Sequence, residues 1–374
     1  MSRVIIFDFL SDPMGGLLTS AREFLQRVRH YDSESRIVVL ELNQSISSHV
    51  GKANNIEWVT LEKPNGFLGW RRMLWQNLYL PGIIKKYRAD TYLSLSHYLP
   101  WTLPENVTKI IGISNLAPFS QEAFDSEIKI KNKLRLILLK KSIINTSKRA
   151  TAVIALSQTC KNELEANGIQ AEKITVISNG VNVLPLPKYD DGMVVDGKYI
   201  LCVSHFYRYK NYENLIKAYS LLSQNIKQQY KLVLIGRPYD VGYFESMRNL
   251  VRKLELENNV ILISGLYGEK LANAYRKCSL FVFPSLIENS PITLLEAMAY
   301  GAPVIASDVP AMREFGGDAV LFFNPHSAID AAHKISYVLD AKSVAGQLSK
   351  KSVARAARYS WDEFTKKIAE CYSR

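Results

Sequence analysis

The sequence predicts an α/β protein built from two successive, doubly wound parallel-sheet domains. Three observations lead there. Short apolar runs of strand length alternate with helix-length amphipathic segments. A Pro-, Gly- and Asp-rich stretch, Leu184-Pro185-Leu186-Pro187-Lys188-Tyr189-Asp190-Asp191-Gly192, interrupts the alternation near mid-chain. The same alternation then starts again. At 374 residues the chain is long enough for two separate cores.

The first half opens with a strand over Val4–Leu10, a turn through Asp12-Pro13-Met14-Gly15-Gly16, and a helix over about Leu18–Tyr31. Strands follow at Arg36–Leu42 and Ile56–Leu61. Trp70–Tyr87 has helical spacing, and Thr91–Leu95, Lys109–Ile113 and Ala152–Ala155 are short apolar strands. After the break come strand Tyr199–Val203, helix Glu213–Leu222, strand Lys231–Ile235 and helix Tyr243–Leu254. Strands at Val260–Ile263, Leu280–Phe283 and Val304–Ala306 complete the series. A last amphipathic helix, Tyr359–Tyr372, sets Trp361, Phe364, Ile368 and Tyr372 on one side. The expected division is an N-terminal domain over 1–185, a linker over 186–197, a C-terminal domain over 198–356, and a helical segment over 357–374 returning to the first domain. Ligands are expected in a cleft between the domains, at the carboxyl ends of the strands.

With 47% hydrophobic and 22% charged residues, the composition is that of a globular protein. No apolar run approaches the roughly 20 residues that span a bilayer, and the N-terminus lacks a signal-peptide layout, so a cytoplasmic protein is expected. Cys160, Cys202, Cys278 and Cys371 lie far apart without metal-ligand spacing. The net charge is +12. Between Ile128 and Arg149 the chain carries Lys129, Lys131, Lys133, Arg135, Lys140, Lys141, Lys148 and Arg149 and no acidic residue. Leu134, Ile137, Leu138, Leu139 and Ile144 form an apolar helix face among them. Such a helix suits an anionic membrane surface or a polyanionic substrate; it equally suits a solvated face over an ordinary core. No nucleic-acid module accompanies the charge, and nucleic acid is not an expected partner.

The most specific chemistry lies in Pro284-Ser285-Leu286-Ile287-Glu288-Asn289-Ser290-Pro291-Ile292-Thr293-Leu294-Leu295-Glu296. It reads as a buried strand, a loop, and a helix opening near Pro291. A helix start after a parallel strand offers backbone N–H groups and a positive dipole end to an anion. Glu288 and Glu296, eight apart, are carboxylates beside that site and suit hydroxyl-rich groups. Phosphate and hydroxyls together describe a nucleotide-sugar.

These residues resemble the retaining nucleotide-sugar glycosyltransferases of family 4, also called glycosyl transferases group 1. The signature is an E-x7-E pair followed by E-A-M-x-x-G-x-P-V, matched by Glu288, Glu296-Ala297-Met298, Gly301 and Pro303-Val304. The resemblance implies a GT-B fold of two Rossmann-like domains, with the donor held mainly by the second. It implies that Glu288 meets hydroxyls of the donor sugar and Glu296 those of the ribose, with the diphosphate on backbone N–H groups around Ile292, Thr293 and Leu294. The family has a Gly-rich turn where this chain has Asn289-Ser290-Pro291. Val203-Ser204-His205-Phe206-Tyr207-Arg208-Tyr209-Lys210-Asn211 resembles the family's diphosphate-clamping segment. Lys210 matches its lysine; His205 stands where the arginine is usual, and Arg208 is the nearest planar substitute. Ser204, His205, Asn289, Ser290 and Leu266 join the donor-contacting set, with Gly15 and Gly16 approaching the donor from the first domain. The family's His-Asp after the Lys109–Ile113 strand is replaced by Ser114-Asn115, which become acceptor or sugar contacts, and His97 is the alternative histidine.

The expected activity is metal-independent, retaining transfer of a sugar from a nucleoside diphosphate donor, UDP- or GDP-linked, to a saccharide acceptor. Lys210, Arg208, Glu288 and His97 are the candidate catalytic groups, and no cofactor is required. The acceptor is expected to be lipid-linked, in surface polysaccharide or O-antigen (lipopolysaccharide) synthesis at the inner membrane face. The alternatives are a nucleotide-sugar epimerase or phosphorylase of the same fold, or a non-catalytic membrane-recruiting subunit.

Overall fold

The computed structural model describes residues 3–10, 15–50, 56–62, 69–184 and 195–373. Most of the 186–197 linker and the turn residues Asp12-Pro13-Met14 lie outside the described residues. The chain forms two units. The first comprises 1–119, 134–180 and 361–374; the second comprises 120–133 and 181–360. Two departures from a simple halving stand out. Residues 120–133 group with the second unit, where Glu122 Oε1 lies 3.2 Å from His326 Nε2. The terminal helix Trp361–Ser373 groups with the first.

The first unit holds β1 (Val4–Phe9), β2 (Arg36–Leu42), β3 (Ile56–Leu61), β4 (Thr91–Ser94), β5 (Thr108–Ile113), β6 (Ala152–Ala155) and β7 (Ile174–Val176). Their order is β3-β2-β1-β4-β5-β6-β7, with every pair parallel. Central strands such as Ile5-Ile6-Phe7 and Ile37–Leu40 are wholly buried, which is why they read as continuous apolar runs rather than alternating ones. Helix Trp361–Ser373 buries Trp361, Phe364, Ile368 and Tyr372. It packs on helix Gly16–Tyr31, where Tyr31 donates to Asp362 at 2.9 Å.

The second unit holds β8 (Lys198–Val203), β9 (Tyr230–Ile235), β10 (Val260–Ile263), β11 (Leu280–Phe283), β12 (Val304–Ser307) and β13 (Leu321–Phe323). Its order is β10-β9-β8-β11-β12-β13, again all parallel. Cys202 and Cys278 are buried in its cores as small apolar side chains. In each sheet the chain winds outward on one side of the first strand and then crosses to its other side. The reversal falls between β1 and β4 in the first unit and between β8 and β11 in the second. Crevices at such reversals, beyond the strand carboxyl ends, are where open parallel sheets hold ligands.

Candidate active site

In the second unit the loop leaving β8 carries Ser204–Asn211, and the loop leaving β11 carries Pro284–Pro291. Lys210 and Glu288, 78 residues apart in sequence, form an ion pair across this reversal point. Both side chains are nearly buried. The Lys210 ammonium also lies over the rings of Tyr209, at 5.2 Å, and Phe283, at 5.7 Å. Asn211 takes a left-handed conformation (φ 58°) and donates to the carbonyls of Pro284, at 3.1 Å, and Pro325, at 2.8 Å. That side chain ties the ends of β8, β11 and β13 together and fixes the lysine that precedes it.

The β8 loop is held close to β9. Ser204 N–H donates to Ile235 O at 2.9 Å, Phe206 N–H to Arg237 O at 2.9 Å, and Tyr212 OH to Ser204 O at 2.5 Å. Gly236 permits this approach: a β-carbon there would fall 1.6 Å from Ser204 O. His205 sits beside Tyr239, with ring centroids 4.8 Å apart. Burial, Lys210 and Arg237 push its pKa down to about 4, so it is a neutral imidazole, and its buried Nδ1 has no hydrogen-bond partner. Arg237, on the loop leaving β9, is the residue that sequence reasoning missed. It lacks a family-motif position, and only the fold brings its charge to His205. Arg208, expected as the substitute clamp, pairs with Asp240 at 3.7 Å and lies over the Tyr243 ring at 5.3 Å.

Helix Ile292–Ala299 starts as the sequence suggests, with Pro291 at its cap. Two of the three N–H groups expected to face a phosphate close local turns here. Ile292 N–H donates to Ser290 O and Leu294 N–H to Pro291 O, leaving Thr293 outside those turns. Asn289 is buried; Ser290 Oγ is buried and unpartnered. Glu296 accepts from Tyr275 OH at 2.9 Å, a fully buried tyrosine also missed in the sequence. Leu266 packs against the core containing Leu294 and Phe283.

The remaining candidates lie in the first unit. Gly15 has φ 58° and starts helix Gly16–Tyr31, a backbone geometry glycine adopts without strain. Asn115 Oδ1 accepts from Ala117 N–H at 2.9 Å, shaping the turn after β5 that also carries Ser114. His97 follows β4, with its carbonyl accepting from Thr146 at 2.8 Å. Burial and the charges of Arg72 and Arg135 bring its pKa to about 4. It is therefore a neutral group at physiological pH, and its Nδ1 is buried and unpartnered.

Residues 191–358 match the family model of glycosyl transferases group 1, and residues 14–183 that of Glycosyltransferase Family 4. The chain is 29% identical over 224 residues to the serotype-specific mannosyltransferase WbdA of Escherichia coli, covering 57% of this chain and 27% of that protein. It thus spans about a quarter of that relative's length. To the O-antigen chain mannosyltransferase B of Escherichia coli it is 25% identical, over 77% of this chain and 75% of the relative. The structure of Anabaena HepE in complex with UDP and glucose superposes with a TM-score of 0.75 at 19% identity, covering 99% of both chains. The fold is GT-B. Two parallel sheets of matching order and two family models side by side lead to one assignment: the chain belongs to the family 4 glycosyltransferases, the glycosyl transferases group 1.

Proposed function

We propose that this protein transfers a sugar, with retention of configuration, from a nucleoside diphosphate donor to a lipid-linked saccharide acceptor in O-antigen or related surface polysaccharide synthesis. The observation that carries the reading is the Lys210–Glu288 pair at the β8–β11 reversal, flanked by His205 and Arg237. Lys210 and Arg237 supply positive charge where a diphosphate leaves, and the neutral His205 supplies a hydrogen bond. Glu288, held in place by Lys210, orients a sugar hydroxyl. Glu296, steadied by Tyr275, accepts from ribose hydroxyls. Such a leaving-group clamp works through electrostatics alone, so the reaction proceeds without a divalent ion. The relatives named as mannosyltransferases favour a mannosyl donor, and the UDP complex of HepE favours a nucleoside diphosphate.

A thermal-shift screen against UDP-, GDP-, ADP- and dTDP-sugars tests the donor reading, since ligand binding raises the unfolding midpoint. Transfer activity lost in Glu288→Ala supports the assignment; activity unchanged in that variant refutes it.

The same proposal places the protein at the inner face of a membrane. Helix Ile130–Arg149 exposes Ile130, Leu134, Ile137 and Leu138 among its lysines, so these residues do not face a core. Trp70, Leu74, Leu78 and Trp101 are exposed as well. Among the described residues no helix is long and apolar enough to cross a membrane. Reversing the charges of Lys129, Lys131 and Lys133 should weaken binding to anionic vesicles and spare donor binding; unaltered vesicle binding overturns this part.

A further inference from the structure

We propose that the first unit carries a phosphate-binding subsite at the carboxyl ends of β1 and β4, built by Arg72, Ser96, His97 and Arg135. Its ligand would be a phosphate group of the acceptor. Assigning that phosphate to the acceptor rests on the glycosyltransferase reading; the anion site itself does not.

Asp8, near the end of β1, lies in this region, and its oxygens are occupied. Oδ1 accepts from Leu10 N–H at 2.9 Å; Oδ2 accepts from Gln76 Nε2 at 2.6 Å and from Tyr92 OH. Arg72 precedes Gln76 by one turn on helix Trp70–Tyr87, so the two share a face. Its Nε is buried with no hydrogen-bond partner, and among the described residues no carboxylate pairs with it. At the end of β4, Ser94 Oγ and Ser96 Oγ lie 2.9 Å apart, and His97 follows with an unpartnered, buried Nδ1. Arg72 and Arg135 both act on the His97 ring and disfavour its protonation. The surroundings are thus electropositive and hold buried polar atoms without partners.

A buried donor without an acceptor is unfavourable, because the hydrogen bonds it made to water are not replaced. Water settles such a donor but brings no charge to the Arg72 and Arg135 guanidiniums. A phosphate settles both, because it brings negative charge and several acceptor oxygens, and a guanidinium is shaped to meet it. The second unit supports the reading. There, at the equivalent reversal, His205 is likewise neutral, likewise has an orphaned Nδ1, and is likewise flanked by two cations, Lys210 and Arg237. The same chemistry occurs at both reversal points, and a diphosphate is proposed for only one of them. The alkyl-exposing helix Ile130–Arg149, which carries Arg135, makes a lipid phosphate a natural source.

The test follows the side-chain nitrogen resonances of His97 in the full-length protein, assigned by their loss in His97→Gln. Inorganic phosphate and phosphatidylcholine vesicles with or without phosphatidic acid are the probes. A saturable shift with inorganic phosphate supports the site directly. A shift only with phosphatidic acid vesicles supports it with a lipid phosphate as source. In Arg72→Gln the midpoint should weaken about tenfold or more, and in Arg72→Lys by less. In Lys210→Met the His97 response should persist, which separates this site from the donor site. Circular dichroism and the unfolding midpoint verify that each variant folds. No shift with any probe, or an unchanged midpoint in a folded Arg72→Gln, overturns the proposal. A His97 response without stabilisation by any nucleotide-sugar would keep the subsite and defeat the donor reading instead.

Discussion

Gly236→Ala is a sharp probe of how the candidate donor site is assembled. The added β-carbon would lie 1.6 Å from Ser204 O, 2.7 Å from its carbonyl carbon and 3.3 Å from His205 Cα. All three are backbone atoms, so no rotamer change relieves the overlap. Restoring ordinary contact requires the β8 loop to retreat by about 2 Å. Such a retreat strains the Ser204–Ile235 and Phe206–Arg237 hydrogen bonds and moves His205 and Lys210 together. Overpacking of this kind destabilises by about 1–3 kcal/mol, which in a domain of this size lowers the unfolding midpoint by roughly 3–10 °C. The loss of function should be larger, since a displacement of about 1 Å in a positioning group can slow a reaction on the order of 100-fold. The assay pairs thermal unfolding with donor-induced stabilisation. Gly346→Ala is the control: it lies inside helix Lys342–Ala356 with nothing within 4 Å, and should stabilise by about 0.5–1 kcal/mol. A Gly236→Ala protein with an unchanged midpoint and undiminished response to the donor would refute the close-approach argument.

Other outcomes follow from the same geometry. Lys210→Met leaves Glu288 without its counter-charge in a nearly buried place and should destabilise by on the order of 1–3 kcal/mol, with Lys210→Met/Glu288→Gln recovering part of the loss in a double-mutant cycle. Tyr275→Phe removes one hydrogen bond to a carboxylate; a loss of about 1–2 kcal/mol in stability and a weaker response to nucleotide ribose, read by comparing donors with their 2′-deoxy analogues, is expected. His97 and His205 have folded-state pKa values near 4, below the 6.5 expected when unfolded. The unfolded chain therefore binds more protons between those values, so stability is full above about pH 6.5 and declines as pH falls toward 4. Unfolding midpoints at pH 7 and pH 5 should converge in His97→Gln/His205→Gln relative to the parent.

The strands were legible because both faces of a parallel sheet are covered, which writes them as uninterrupted runs such as Leu280–Phe283. The start of helix Ile292–Ala299 was legible from Pro291 for a local reason, since proline suits a first turn. Long-range partners were not. Nothing near Lys210 in sequence points to Glu288, and Tyr275 reads as one more core aromatic until its hydroxyl is seen on Glu296. The pairing of Arg208 with Asp240, 32 residues on, is likewise not written in the sequence around Lys210. The grouping of residues 120–133 with the second unit depends on contacts such as Glu122 with His326, which local periodicity does not encode.

The placement of helix Trp361–Ser373 in the first unit bears on the order in which the protein is completed during synthesis. The second unit's main segment, 181–360, is available before this helix has been translated. The first unit, although it begins first, must wait for this later helix to pack on helix Gly16–Tyr31. A nascent chain would thus have its second unit's main segment in hand while its first unit still lacked this helix. Chaperone demand, and sensitivity to premature termination just upstream of Trp361, should therefore fall on the N-terminal sheet.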